Sequence, residues 1–261
     1  KDQRVDIAIQ GPNSVKIMQS LAQDNKKLCF QLEKLKNFSF LETILHGIEI
    51  IISKSGYTGE EHGFELYVHP DNAPKLWNLL LEKGKVYGIT PTALGARDST
   101  RTEAGLPLYG HELAGEFDIT PLEAGYGAFV KYHKPFFIGK NELLKKDHKQ
   151  KNIVVRFEMN EVGIRAVRPG VLVLNKRGQF IGTVTSCTFI GDKQVGLAYI
   201  DKRYSQEGSK LGILMIKPGK KNKHKCVDEL QLGDKFPLHE AATVVSRFPM
   251  RNSEDTNEEK E

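Results

Sequence analysis

Ser55-Gly56-Tyr57-Thr58-Gly59-Glu60-Glu61-His62-Gly63-Phe64-Glu65-Leu66-Tyr67-Val68 joins a glycine-rich turn to a strand, and the rest of the chain can be laid out from it. Just before it, Ile48-Glu49-Ile50-Ile51-Ile52 is rich in β-branched residues and predicts another strand. Gly56, Gly59 and Gly63 fall within eight residues, so the backbone turns tightly there. Alternation follows: Phe64, Leu66 and Val68 share one face, Glu65 and Tyr67 the other. A carboxylate thus stands on the polar face of a strand, at the foot of a bending loop. Its two coplanar oxygens suit a flat heterocycle with an N–H beside an amino group, since the carboxylate charge strengthens both bonds. Spacing alone also describes a surface glutamate, the more ordinary reading, because exposed strand faces commonly carry charge.

Upstream, Val5 to Ile9 alternates like a strand, and Gly11-Pro12-Asn13-Ser14 opens a helix to about Asp24 with Val15, Met18, Leu21 and Ala22 inward. Phe38 to Leu45 and Ile48 to Ser53 flank His46-Gly47 and predict a hairpin. Beyond the central stretch, Asp71 is expected to cap a helix from Ala73 to Lys83, stopped by Gly84. Leu76, Trp77, Leu80 and Leu81 would line its inner face. This order predicts an α+β region, an antiparallel sheet with helices on one face.

The next stretch is Thr90-Pro91-Thr92-Ala93-Leu94-Gly95-Ala96-Arg97-Asp98-Ser99-Thr100-Arg101-Thr102-Glu103-Ala104-Gly105-Leu106-Pro107-Leu108-Tyr109-Gly110, a helix closed by glycine and proline. Arg97, Thr100, Arg101 and Ala104 fall on one helical face. As charges on a solvated helix, Arg97, Asp98, Arg101 and Glu103 would contribute only a few tenths of a kcal/mol, about 0.2–0.5 per pair.

Together the two stretches resemble the T protein (aminomethyltransferase) family of the glycine cleavage system. Its members carry a GYTGE-x-GxE loop and then an ARD triplet followed by an arginine, a glutamate, Ala-Gly and Leu-Tyr-Gly. Ala8-Ile9-Gln10-Gly11-Pro12, Phe137-Ile138-Gly139-Lys140-Asn141-Glu142-Leu143 and Ile181-Gly182-Thr183-Val184-Thr185-Ser186 extend the match in family order. The resemblance implies transfer of an aminomethyl group from a lipoylated carrier, the H protein, to tetrahydrofolate, with ammonia released and 5,10-methylenetetrahydrofolate formed. It implies that Glu65 holds the pterin, that Arg97 lines the folate pocket and that Tyr57 packs nearby, with Arg101 and Glu103 bracing the site or simply exposed.

Three departures from the family pattern accompany the match. Glu61-His62 makes two residues where the family loop has one. Arg247-Phe248-Pro249-Met250 is not followed by the tyrosine that completes the family's pocket. The family's catalytic aspartate precedes the Gln-Gly-Pro motif, which here begins at Gln10, so it falls upstream of residue 1. Asp2 and Asp6 are not drafted in its place. The abrupt start inside a strand reads as a fragment, which alone would be inactive.

From Asn152 the pattern becomes all-β. Ile153 to Phe157, Val171 to Leu174, Phe180 to Thr185, Gln194 to Ile200, Leu211 to Ile216 and Val244 to Ser246 are short strands between turns. Such spacing predicts a small sandwich or barrel, and the resemblance implies a compact antiparallel barrel. Lys134 to Lys140 is expected to open a short helix, and the lysines at 145, 146, 149 and 151 mark a boundary. The expected organisation is therefore a folate-binding α+β region over 1–150, a barrel over 151–250 and a charged disordered tail over 251–261.

Composition narrows the function classes. The chain has 261 residues, 39% of them apolar and 27% charged, as in ordinary globular domains. No apolar run approaches a membrane span. Cys29, Cys187 and Cys226 lie far apart, without metal-type pairing, and fit a reducing compartment, bacterial cytoplasm or mitochondrial matrix. The net charge is +5, with five lysines between Lys217 and Lys225 in an expected hairpin loop. That run lacks interleaved aromatics, which argues against nucleic acid as a partner. Two relatives of the resemblance remain as alternatives, a folate-dependent demethylase (or the folate half of a dimethylglycine or sarcosine dehydrogenase) and a non-enzymatic iron–sulfur assembly factor. The latter carries a cysteine-containing motif where this chain has Lys134-Pro135-Phe136-Phe137-Ile138-Gly139-Lys140.

Overall fold

Phe64, Leu66 and Val68 are fully buried, and the strand that carries them, β4 (Gly63–Val68), lies inside a four-stranded antiparallel sheet. The sheet belongs to a computed structural model that describes residues 3–113, 117–148, 150–215 and 239–249. Its other strands are β1 (Val5–Gln10), β2 (Phe40–Leu45) and β3 (Ile48–Ser53), in the order β1-β4-β3-β2. The β2–β3 turn is His46-Gly47 as expected. Both residues adopt positive φ, 50° and 76°, which a two-residue hairpin turn demands and which glycine meets without strain.

Helices α1 (Ser14–Leu21), α2 (Lys26–Lys34) and α3 (Ala73–Gly84) cover one face of this sheet. Ile17, Met18, Leu21, Leu28, Leu32, Leu76 and Leu80 join Ile7, Ile9, Ile50, Ile52 and the apolar side of β4 in a single buried cluster. The helix expected to about Asp24 ends at Leu21, and a further helix, α2, follows that the sequence reading does not include; the Asn25 side chain accepts a hydrogen bond from the Leu28 amide and starts it. Asp71 does not cap α3; it sits in a one-turn 3-10 segment, Pro70–Asn72, and Asn72 precedes the helix without a side-chain cap. Trp77 is 38% exposed rather than inward, because Leu76, Leu79 and Leu80 already fill the stripe that faces the sheet. α3 ends at Gly84 as expected, and a 3-10 turn, Lys85–Tyr87, carries the chain on to Gly88, whose φ is 77°. The opposite face of the sheet carries Asp6, Glu65 and Tyr67, and at its outer strand the exposed Phe40 and Ile44.

The chain divides into two compact units, residues 1–97 and 98–261. The sequence expectation divides it at 150, at a change of composition. Within the second unit residues 98–148 touch the barrel strands, Ile119 and Ala124 packing with Val154 and Leu197 and the Tyr199 hydroxyl donating to Glu123. α4 (Leu94–Glu103) spans the division, and α5 (Lys140–Asp147) begins where the Lys134–Lys140 stretch ends rather than within it. Six antiparallel strands then close a barrel: β5 (Asn152–Met159), β6 (Leu172–Leu174), β7 (Phe180–Ile190), β8 (Lys193–Asp201), β9 (Lys210–Ile213) and β10 (Glu240–Val245). The antiparallel sheet with helices followed by a closed barrel is the α+β architecture expected from the sequence. The lysine run to Lys225, Cys226 and the tail from 251 lie outside the described residues.

Arg101 is fully buried in the second unit and uses all five of its N–H donors. Nε and one Nη donate to Asp98, the other Nη donates to Glu112 (3.0 Å) and to the Leu106 carbonyl (3.3 Å), and Ser186 Oγ lies 2.7 Å from the first. Ser186 in turn donates to Glu112, which also accepts the Leu108 amide at 2.9 Å. A register shift between Val184 and Ser186 in β7 aims the hydroxyl at this pair. Burial pushes the Glu112 carboxyl up, but the Arg101 guanidinium, the Leu108 amide and the Ser186 hydroxyl outweigh it and hold it below the usual range. Glu112→Leu leaves the guanidinium short of its counter-charge and is expected to cost the second unit about 3–5 kcal/mol in urea unfolding. A depressed folded pKa adds stability above the unfolded value, about 4.3, and that stability disappears as pH falls through the folded one. The gap between wild type and Glu112→Leu should therefore narrow below about pH 4.

Candidate functional site

Glu65 projects from the outer face of β4, opposite the helices, as the alternation predicts. The antiparallel register pairs it with Ala8 on one side and Ser53 on the other, and pairs Tyr67 with Asp6 and Ile51. Cross-strand partners share a face, so Asp6, Ala8, Ser53, Glu65 and Tyr67 form one patch. Ser55 Oγ donates to Glu65 Oε2 at 2.5 Å and lies 2.8 Å from Ser53 Oγ. Burial first, then the Glu65 and Asp6 charges, raise the Tyr67 phenol above its ordinary value.

Asp6, not a candidate on sequence grounds, stands in the same electrostatic field. Partial burial and then the Glu65 charge push its carboxyl up, while the Arg97 guanidinium pulls it down. Glu65 and Arg97 therefore act on a common neighbour in the first unit, Glu65 from the sheet and Arg97 from the first turn of α4. Arg97 is exposed and Tyr57 half-buried in the loop before β4. A cavity of about 350 Å³ on the outer face is bounded by Arg4, Glu42, Glu49, Ile51 and Tyr67. Neither Glu65 nor Arg97 lines it.

The loop that feeds β4 is organised by a residue to which the sequence reading gave no role. Gln10 ends β1, opposite Gly63. Its Nε2 donates to the carbonyls of Ser55 (3.1 Å) and Phe64 (3.3 Å), and Thr58 Oγ1 donates back to its Oε1 at 3.1 Å. The next amide, Gly11 N–H, donates to the His62 carbonyl at 2.9 Å. The extra residue of the Glu61-His62 pair is thus accommodated with the His62 carbonyl bonded to the chain opposite. The signal for Gln10 was its place in the Gln-Gly-Pro motif, but its partners lie 45 to 54 residues away and no local pattern reveals them.

In the second unit, Arg101 is a buried brace, not an exposed charge, and Glu103 is half-buried, its carbonyl accepting from Arg156 Nε at 3.0 Å. The end of the described chain folds back here. Phe248 stacks on Tyr126 with centroids 5.9 Å apart and planes within 6°, and the Arg247 guanidinium lies 4.8 Å from the Phe248 ring centre. The end of the described chain thus forms an aromatic pair with Tyr126, supplied from an earlier loop. Among the described residues no group of three His, Cys, Asp or Glu side chains is placed to hold a metal ion, and no helix is long and apolar enough to cross a membrane.

Comparison with known proteins agrees with this arrangement of sheet and barrel. An aminomethyltransferase of Caldanaerobacter subterraneus subsp. tengcongensis is 45% identical over 218 residues, covering 82% of this chain and 55% of that protein. One of Thermoanaerobacter sp. (strain X514) is 44% identical over 218 residues, covering 82% and 56%. The crystal structure of glycine cleavage system aminomethyltransferase T from Bartonella henselae matches with a TM-score of 0.71 at 26% identity, over 93% of this chain and 58% of that one. The chain spans about half the length of the curated relatives it matches. Residues 1–134 match the GCVT N-terminal domain, and with more than half of its length inside that match the chain belongs to this family.

Proposed function

We propose that this chain is the folate-facing part of a tetrahydrofolate-dependent aminomethyltransferase of the glycine cleavage system. The reaction takes the aminomethyl group from a lipoylated carrier protein, releases ammonia and yields 5,10-methylenetetrahydrofolate. Support comes from the family, from relatives that bear the name aminomethyltransferase, and above all from the setting of Glu65. An ionised carboxylate offers about four acceptor positions. Ser55 takes one of these and orients the group. Two of the others suit adjacent N–H and amino donors on one edge of a flat ring, and the negative charge strengthens both bonds.

Tetrahydrofolate supplies the nitrogens that receive the one-carbon unit; the chain's own residues bind and orient. Glu65 holds the pterin edge. Arg97 offers a planar cation on the same side as Asp6 and offsets the like charges of the two carboxylates. Tyr57, in the glycine loop, contributes an aromatic face that can cover a ring. The apolar side of β4 is committed to the core, so the strand cannot slip by one residue without exposing Phe64, Leu66 and Val68. That rigidity keeps Glu65 on the ligand side.

Because the chain spans about half the length of its relatives, binding is the direct test. Titration with 5-formyltetrahydrofolate, a stable reduced folate, should give saturable binding. Glu65→Gln should weaken it ~10- to 100-fold, the loss of about 1.5–3 kcal/mol expected for a hydrogen bond to a charged group. Failure of the wild-type chain to bind any reduced folate at millimolar concentration overturns the proposal. Arg97→Met should weaken binding less, by ~3- to 10-fold, because the exposed guanidinium is screened by water and salt. The same titration repeated at high salt should shrink the Arg97 effect and leave most of the Glu65 effect.

A further inference from the structure

We infer that Gln10 is a positioning residue for the Glu65 site. It latches the glycine loop at both ends and in the middle, and so sets the direction in which the carboxylate points. The inference rests on the folate reading only for the identity of the ligand.

The geometry is specific to an amide of this length. Two donated bonds run from one nitrogen to Ser55 O, two residues beyond the end of β3, and to Phe64 O, the second residue of β4. One accepted bond comes from Thr58, in the bend between them. Glutamate lacks the two donors, methionine lacks all three functions, and asparagine is one methylene short. The space for the amide exists because its neighbours have no side chains. A Cβ on Gly56 would lie 1.9 Å from Gln10 Oε1, and one on Gly63 would lie 2.4 Å from it. The two glycines are therefore explained by close approach of Gln10.

From the latch two short paths reach Glu65. Ser55 has its carbonyl on Gln10 and its hydroxyl on Glu65 Oε2. Phe64 has its carbonyl on Gln10 and is the residue before Glu65 in β4. Without the latch, Ser55 is free to swing with the loop, and the carboxylate loses the bond that fixes its plane. Tyr57 and Thr58, between the latched ends, move with it. Two partly buried carbonyls losing their donor also give the loop a reason to open toward water.

The test uses the full chain and the variants Gln10→Met, Glu65→Gln and their combination. Methionine keeps the length and bulk against the glycines, so circular dichroism and the pairing of β1 with β4 should be unchanged. Hydrogen exchange in the absence of ligand reads the latch itself. The amides of 56–63 should exchange ~10-fold faster in Gln10→Met, with the β1 and β4 amides unchanged, and should not respond to Glu65→Gln. Binding of 5-formyltetrahydrofolate should weaken ~10-fold in Gln10→Met, and the double variant should bind no worse than Glu65→Gln alone, since Gln10 acts through Glu65. A merely structural glutamine would instead raise exchange across the whole sheet, and its effect on binding would add to that of Glu65→Gln. Unchanged loop exchange in Gln10→Met overturns the inference whatever the ligand. Full additivity in the double variant overturns it as well. Accelerated loop exchange in a chain that binds no reduced folate upholds the latch and removes only the folate reading.

Discussion

The antiparallel register between β1 and β4 is the constraint from which the first unit follows. Pairing Gln10 with Gly63 places Ala8 opposite Glu65 and Asp6 opposite Tyr67. The same pairing sends Ile7, Ile9, Phe64, Leu66 and Val68 into the helices' side of the sheet. A shift of one residue would exchange these two sets, exposing the core and burying two carboxylates. Burial of each large apolar side chain is worth roughly 1.5–3 kcal/mol, so the register has no near competitor. The position of the acidic patch is thus fixed by hydrophobic burial on the opposite face, not by its own interactions. Ala8 matters in this arrangement for its size, since a larger residue there would stand beside Glu65.

The second unit solves a different problem, the burial of a cation. Arg101 has no exposed surface, and a guanidinium taken out of water is costly unless every donor is met. Asp98 from its own helix, Glu112 from the following loop, the Leu106 carbonyl and Ser186 from the barrel meet all five. The bulge in β7 is part of the same solution, since it turns Ser186 toward the pair. The segment after α4 is therefore tied to the barrel wall by polar contacts of fixed geometry, which specify one arrangement more sharply than apolar packing would.

Much of this was legible in the sequence because it rests on local periodicity. The alternation of β4, the His46-Gly47 turn and most of the barrel strands follow from side-chain period and turn chemistry. Where prediction failed, a longer-range effect decided. Trp77 is displaced outward because the sheet needs only the narrower stripe of Leu76, Leu79 and Leu80. α2 escapes the sequence pattern because its apolar residues are not confined to one stripe, Leu28 and Leu32 being buried while Phe30 is exposed, and because its start depends on an Asn25 cap. Glu112 and Ser186 are 74 residues apart, and Gln10 and Phe64 are 54 apart, so neither pairing leaves a local trace. Of the site residues, Glu65 could be placed from alternation alone, whereas Ser55, Asp6 and Gln10 acquire their roles only when strands are brought side by side.

The outer strand β2 has a consequence for the molecule's behaviour in concentrated solution. Among the described residues it pairs only with β3, and it displays Phe40 and Ile44 on its outer face with Glu42 between them. Unsatisfied backbone groups beside a greasy ladder form a template on which foreign strands can add. Glu42 is the local gatekeeper, since each added copy would stack one carboxylate on the next in a poorly solvated row. Self-association along this edge is accordingly governed by ionic strength, and high-salt media screen the electrostatic guard that keeps neighbouring molecules apart.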